Sequence, residues 1–171
     1  MFEQISKNNP KTPLYKLDNK LISKMGHSLY IKRDDLFQIS GGGNKGRKLE
    51  YIINPKISKD YDSLLTCGSN HSNHVRASLI KAKELGWKSH IIIHDVKPKK
   101  FSTGNVKIIN MLADEITYVE MEDVSKEMDK AISKFKFNGY NPLYIWGGGH
   151  CLEGSLAYHD AVLELKTQLE N

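Results

Sequence analysis

The sequence predicts an α/β fold of three layers, with helices covering both faces of a parallel sheet. Two observations predict it. Short apolar runs alternate with segments of helical periodicity along the chain. Loops rich in glycine or small polar residues follow three of those runs, the place where ligands collect in sheets of this kind.

The strands come first. Leu29–Lys32 (LYIK), Ser63–Thr66 (SLLT), Ser89–His94 (SHIIIH), Ile116–Glu120 (ITYVE) and Leu143–Trp146 (LYIW) read as buried strands, because Ile, Leu, Val and Tyr dominate them. Helical segments lie between. Lys45–Asn54 ends before Pro55, which cannot continue a helix. Ser72–Leu85 ends at Gly86, a residue suited to the left-handed C-terminal position. Gly104–Leu112 sets Val106, Ile109 and Leu112 on one face, and Asp123–Phe137 does the same with Met128, Ile132 and Phe135. Leu152–Leu169 places Leu152, Leu156, Leu163 and Leu169 near one stripe.

Bulk properties narrow the function classes. A chain of 171 residues, 39% hydrophobic and 26% charged, can bury one globular core. The net charge of +5 allows an anionic partner, nucleic acid or a phosphorylated small molecule. Its basic residues are scattered, and the one dense cluster, Lys97-Pro98-Lys99-Lys100, reads as a solvated loop, so no nucleic-acid partner is expected. Cys67 and Cys151 lie far apart without a CxxC, which suits a reducing cytoplasm rather than a disulfide scaffold. The first residues, MFEQISKNNPKTPLYKL, lack the apolar core of a signal peptide, and no run is long enough to span a bilayer.

Three loops carry the candidate chemistry. In SGGGNK the glycines permit positive φ and close approach to a ligand. Lys45 falls in the first turn of its helix, where the helix dipole, Arg47 and Lys48 all disfavour an ammonium. A neutral amine is what Schiff-base chemistry needs, although these residues alone fit a solvent-exposed lysine at a helix start better. The pattern GxxxxGK[ST] is absent, so this is not a Walker A loop. In CGSNHSNH, Ser72 is a natural N-cap and the helix start offers free N–H groups to an anion. His71 and His74 form an HxxH pair that could hold a metal only with help from His94, His150 or Cys67, so no metal is expected. WGGGHC reads either as a tight turn or as a second approach to the same ligand.

Taken in order, these residues resemble a known family. IKRDDLFQISGGGNKGRKLEY is similar to the N-terminal signature of 1-aminocyclopropane-1-carboxylate deaminases and D-cysteine desulfhydrases. TCGSNHSNHVRASLIKAKELG, TGNVKIINMLADEI and YIWGGGHCLEGSLAYHDAVLEL resemble the family's later signatures. The resemblance implies a fold-type II enzyme of the tryptophan synthase β superfamily that uses pyridoxal 5′-phosphate and acts as a lyase or hydrolase on a small amino acid. It implies that Lys45 joins the cofactor as a Schiff base, and that Asn73 bonds the cofactor's phenolic oxygen and also contacts the substrate. Ser72 would lie near the substrate carboxylate and take part in proton chemistry. His74 would hold that carboxylate through the helix start, and Asn44 would shape the lysine turn beside the cofactor. Family members of this kind are usually homodimers.

Three departures from the pattern stand out. Ser69, Asn70 and His71 replace the usual Gly-apolar-Gln, and Phe37-Gln38-Ile39-Ser40 is an atypical approach to the glycine turn. In the family, considerably more sequence follows the equivalent of Asn171, including the loop for the cofactor phosphate and the group facing the pyridine nitrogen. The resemblance therefore implies an incomplete fold. Residues 1–47 would belong to the large cofactor domain, 48–146 to the small α/β domain, and 147–171 to a helix returning to the large domain. Two readings follow: a fragment, or a chain that joins a complementary half, of a deaminase or desulfhydrase; and a non-catalytic relic or interaction protein whose unfinished sheet exposes apolar surface.

Overall fold

The computed structural model describes residues 10–100 and 103–170. The expectation about a signal peptide rests largely on residues 1–9, outside the described residues.

The centre is a four-stranded, all-parallel sheet. Its strands are β3 (Ser63–Gly68), β4 (Lys88–Ile93), β5 (Glu115–Tyr118) and β6 (Pro142–Ile145), in spatial order β5-β4-β3-β6. Registers are regular: Leu64 lies opposite Ser89 on one side and Leu143 on the other. β3 and β4 are buried along nearly their whole length, as parallel strands covered on both faces must be.

Two further strands, β1 (Leu14–Leu17) and β2 (Leu29–Lys32), pair antiparallel in a separate ribbon, joined by the short helix α1 (Lys20–Lys24). This corrects the expectation for LYIK, which is neither buried nor part of the parallel sheet: Leu29, Tyr30 and Ile31 are each about 40% exposed. A two-stranded ribbon has no second layer of its own to bury them.

Four longer helices cover the sheet. α2 (Gly43–Ile52), α3 (Asn73–Glu84) and α4 (Gly104–Leu112) lie on one face, and α5 (Val124–Phe137) lies on the other. Alternation along the strands separates the two cores. Leu64 and Ile145 pack with Leu49, Ile52, Ala77 and Trp87, while Ile91 and Ile93 pack with Val75, Leu79 and Ile109. Leu65, Cys67 and Ile92 face Val124, Met128 and Ala131. Each fully buried Leu or Ile contributes about 1.5–3 kcal/mol relative to exposure.

α6 (Leu152–Glu170) packs against α2. Its buried face is Gly154, Ala157 and Ala161, so the leucine stripe read from the sequence is not the buried one: Leu152, Leu163 and Leu169 are exposed. Small residues let the two helices approach closely. A Cβ at Gly154 would collide with the Gly149 carbonyl. Tyr51 Oη donates to Asp160 Oδ2 at 2.6 Å across the same contact. Exposed apolar side chains lie on α6 and on the β1–β2 ribbon, and also at the β6 edge of the sheet, where Tyr144 and, just beyond the strand, Trp146 are exposed.

A buried ion network ties the ribbon, α2 and α6 together. Arg47 donates to both carboxylate oxygens of Asp34 (2.9 and 2.8 Å), to Glu164 (3.1 Å) and to Thr12 (3.2 Å). Lys32 donates to Glu164, to Gln168 and to the Thr12 carbonyl. The guanidinium also stands 4.9 Å from the centre of the Phe37 ring.

Candidate functional site

The strand order sets where a site can form. From β3 the chain moves outward to β4 and β5, then returns to the other side of β3 with β6. Loops leaving β3 and β6 therefore diverge at one end of the sheet and open a crevice between them. The crevice is a cleft of about 680 Å³, lined by Lys45, Gly68, Ser72, Asn73, Gly148 and His150 among others. All three loops singled out in the sequence contribute to it.

The lysine turn is built by an unusual backbone. Ser40, Gly41, Gly42 and Gly43 all have φ between +51° and +79°, the left-handed region. A Cβ at Gly42 would lie 2.7 Å from the Phe37 carbonyl oxygen, and one at Gly41 would lie 2.7 Å from Arg76 Nη1 and collide with Ile80. Buried Ser40 accepts the strain and donates to Glu50 at 3.2 Å. These residues deliver the chain into α2 at Gly43, two residues before the start read from the sequence, and leave Lys45 in the first turn.

Lys45 Nζ donates to the Gly148 carbonyl at 3.4 Å, and Lys48 Nζ donates to the same oxygen at 3.2 Å. Partial burial, and then the positive charge of Lys48, hold the Lys45 amine below the ordinary lysine range. Arg47 takes no part in this, contrary to the sequence expectation. Its charge is turned away and met by Asp34 and Glu164.

The second loop opens α3. Ser72 is its N-cap: Oγ accepts from the Val75 N–H at 3.2 Å, which leaves the hydroxyl proton free to donate. Gly68 is required beneath it, since a Cβ there would lie 2.9 Å from Ser72 Oγ and 2.7 Å from Val75 Cγ2. The His74 ring points into the protein. Thr66 Oγ1 donates to the Ile145 carbonyl at 2.6 Å and so accepts from His74 Nε2–H at 2.9 Å. Burial, helped by Lys45, Lys48 and His150, lowers the His74 pKa to about 4, so the ring is neutral. Only the backbone of His74 remains available at the helix start. His71 is exposed and does not pair with His74, and among the described residues no group of three metal-ligating side chains occurs.

Asn73 is exposed at the cleft, and its Oδ1 accepts from Asn105 Nδ2 at 2.9 Å. Burial raises the hydroxyl pKa of Tyr158 on α6, and Asn44 lies close enough to offset part of that rise. The third loop, Gly147–Gly149, closes the cleft. Gly148 and Gly149 have φ of +77° and +62°, which presents the Gly148 carbonyl to both lysines.

The sequence grouped Lys45, Ser72, Asn73 and the GGGH turn, and the structure brings them together. It did not single out Thr66, Tyr158 or Asn105, whose partners lie far away in sequence. Chemically, the cleft offers an amine of lowered pKa, a free hydroxyl and a helix N-terminus. None of the described residues lining it is acidic. Such a cleft suits an anionic ligand that carries a carbonyl.

Comparison with known proteins agrees with this chemistry. Residues 5–171 match the profile of a family described as pyridoxal-phosphate dependent enzyme. The chain is 35% identical over 154 residues to a Thermotoga maritima protein provisionally named 1-aminocyclopropane-1-carboxylate deaminase, covering 88% of this chain and 48% of that one. It is 30% identical over 165 residues to the D-cysteine desulfhydrase of Klebsiella pneumoniae, covering 94% and 50%. The crystal structure of an ACC deaminase homologue superposes with a TM-score of 0.79 at 31% identity, over 98% of this chain and 53% of that one. A pyridoxal 5′-phosphate-dependent aspartate racemase, at 18% identity and a TM-score of 0.68, shares the fold. The chain spans about half the length of the curated relatives it matches. Among the described residues, no helix is long and apolar enough to cross a membrane. On the match across residues 5–171, the chain belongs to the pyridoxal-phosphate-dependent enzyme family.

Proposed function

We propose that this chain supplies the lysine-bearing half of a pyridoxal 5′-phosphate enzyme acting on a small amino acid, either D-cysteine or 1-aminocyclopropane-1-carboxylate. The observation that carries the proposal is the placement of the Lys45 amine. It stands in a cleft lined also by the glycine turn after β6 and by the N-terminus of α3.

The residues present fit the cofactor. A lowered amine pKa favours attack on an aldehyde, the Asn73 amide can donate to a phenolic oxygen, and the glycines clear space that side chains would fill. When bound, the cofactor would act as an electron sink that weakens bonds at the substrate Cα. In this reading Lys45 anchors it and Asn73 donates to its ring oxygen. Asn44 holds the lysine turn. Ser72 donates its free proton near the substrate carboxylate, which the backbone N–H groups at His74 receive. The products would be pyruvate, hydrogen sulfide and ammonia from D-cysteine, or 2-oxobutanoate and ammonia from the cyclopropane substrate. The reading kept is the lyase one, because the relatives' names give no support to the hydrolase expectation.

Domain division follows the same reading: 1–47 and 147–171 with the large domain, 48–146 as the small one. The boundary crosses α2, whose Arg47 faces the ion network while Leu49 and Ile52 face the sheet core. A homodimer, or association with a complementary half, would cover the exposed leucines of α6 and the ribbon. Those same exposed surfaces favour the second reading, a non-catalytic interaction protein. The free thiols of Cys67 and Cys151 suit a reducing cytoplasm.

The test is to incubate the protein with pyridoxal phosphate and either substrate, and measure 2-oxo acid release in the wild type and in Lys45→Ala. Product that depends on Lys45 supports the enzyme reading. A folded chain that neither binds the cofactor nor forms product supports the second.

A further inference from the structure

We propose that Asn105 is a positioning residue: it fixes the orientation of the Asn73 side-chain amide so that the N–H₂ group, not the oxygen, is left to the cleft. The inference rests on the function proposed above only for what Asn73 then does. The orientation itself follows from geometry.

Asn105 is the second residue of α4. Its Nδ2 donates to the His71 carbonyl at 2.8 Å and to Asn73 Oδ1 at 2.9 Å. A backbone carbonyl can only accept. The Asn105 side chain must therefore present its nitrogen to this loop, and its two hydrogens are consumed by the two bonds. Asn73 has no choice left. It must turn its oxygen to Asn105, and its own two N–H donors then point elsewhere, at the rim of the cleft that Lys45 also lines. An unconstrained exposed asparagine flips between two nearly equivalent orientations, one of which would aim an acceptor at an anionic ring oxygen.

The competing explanation is structural. An asparagine in the first turn of a helix can simply stabilise that turn, and aspartate there does so at least as well because it complements the helix dipole. The two explanations separate on Asn105→Asp. If the role is structural, Asp is harmless and Asn105→Ala is the worse variant. If the role is orientation, Asp is the worse: its carboxylate is repelled by the His71 carbonyl and attracts the N–H₂ of Asn73, turning the oxygen toward the cleft.

The experiment measures hydrogen exchange of the side-chain amides by NMR on the ¹⁵N-labelled wild type, Asn105→Ala and Asn105→Asp, without cofactor. In the wild type, the Asn105 amide protons should exchange several-fold more slowly than those of exposed Asn138, and those of Asn73 should exchange fast. In Asn105→Asp, the Asn73 protons should slow several-fold. Fast Asn105 exchange in the wild type, or unchanged Asn73 exchange in Asn105→Asp, would overturn the proposal. A second arm titrates pyridoxal phosphate by its absorbance change. Apparent affinity should fall about tenfold in Asn105→Asp and less in Asn105→Ala. Equal affinity in all three would overturn the catalytic relevance of the orientation. Failure of the wild type itself to bind would instead count against the proposed function, and the exchange rates would still decide the role of Asn105.

Discussion

Arg47→Met tests how the lysine-bearing helix is held. The arginine is 3% exposed and stands two residues from Lys45. The substitution keeps the packing volume over the Phe37 ring but removes four hydrogen bonds: two to Asp34, one to Glu164 and one to Thr12. Removing one partner of a buried ion pair costs about 3–5 kcal/mol, because the other charge stays behind uncompensated. Glu164 keeps Lys32 and Asp34 keeps the Thr12 hydroxyl but no cation, so the low end applies, about 3 kcal/mol. With a urea dependence of about 2 kcal/mol per molar, the unfolding midpoint should fall by about 1.5 M. Equilibrium urea unfolding followed by tryptophan fluorescence reads this directly, since Trp87 lies in the core that α2 joins. Adding Asp34→Leu should restore part of the loss by removing the uncompensated carboxylate. A loss below about 1 kcal/mol, the range of exposed ion pairs, would refute the claim that this network is buried and structural.

Other predictions follow from the same geometry. His74 is held neutral with a pKa near 4, below its unfolded value of 6.5, so the unfolded chain binds more protons between those pH values. Stability should therefore drop as pH falls from about 6.5 toward 4, by at most about 3 kcal/mol, and His74→Gln should flatten that slope in urea titrations. Lys48→Met removes the second cause of the lowered Lys45 pKa, so the pH midpoint for labelling Lys45 with an amine-reactive reagent should move up; an unchanged midpoint would leave burial as the sole cause. Gly41→Ala forces a Cβ into Arg76 and Ile80 at a φ of +73°, and should cost about 1–3 kcal/mol of stability while slowing cofactor attachment.

Local signals in the sequence were the legible ones. Gly104–Leu112 was read with its observed bounds because apolar spacing and an opening glycine agree there. Ser72 was recognised as an N-cap from residue type and position, and its hydroxyl makes that bond. The start of α2 was missed because three glycines hide a helix start when their φ values are unknown. The strand Leu14–Leu17 was missed because it is short, exposed and paired only with LYIK. Long-range pairing was the illegible part. Nothing near Arg47 announces that Glu164 neutralises it, or that Asn105 turns the Asn73 amide. The leucine stripe of α6 misled because helix contacts can be made by glycine and alanine, leaving leucines outward.

The central claim is that Lys45 is the attachment point of the cofactor. Borohydride reduction of the protein mixed with equimolar pyridoxal phosphate, followed by proteolysis and mass spectrometry, tests it in one step. The account predicts a single modified peptide bearing the pyridoxyl group on Lys45, lost in Lys45→Ala. Modification of Lys48 instead, or labelling spread evenly over the surface lysines with Lys45 no more reactive than Lys97 or Lys99, would contradict it.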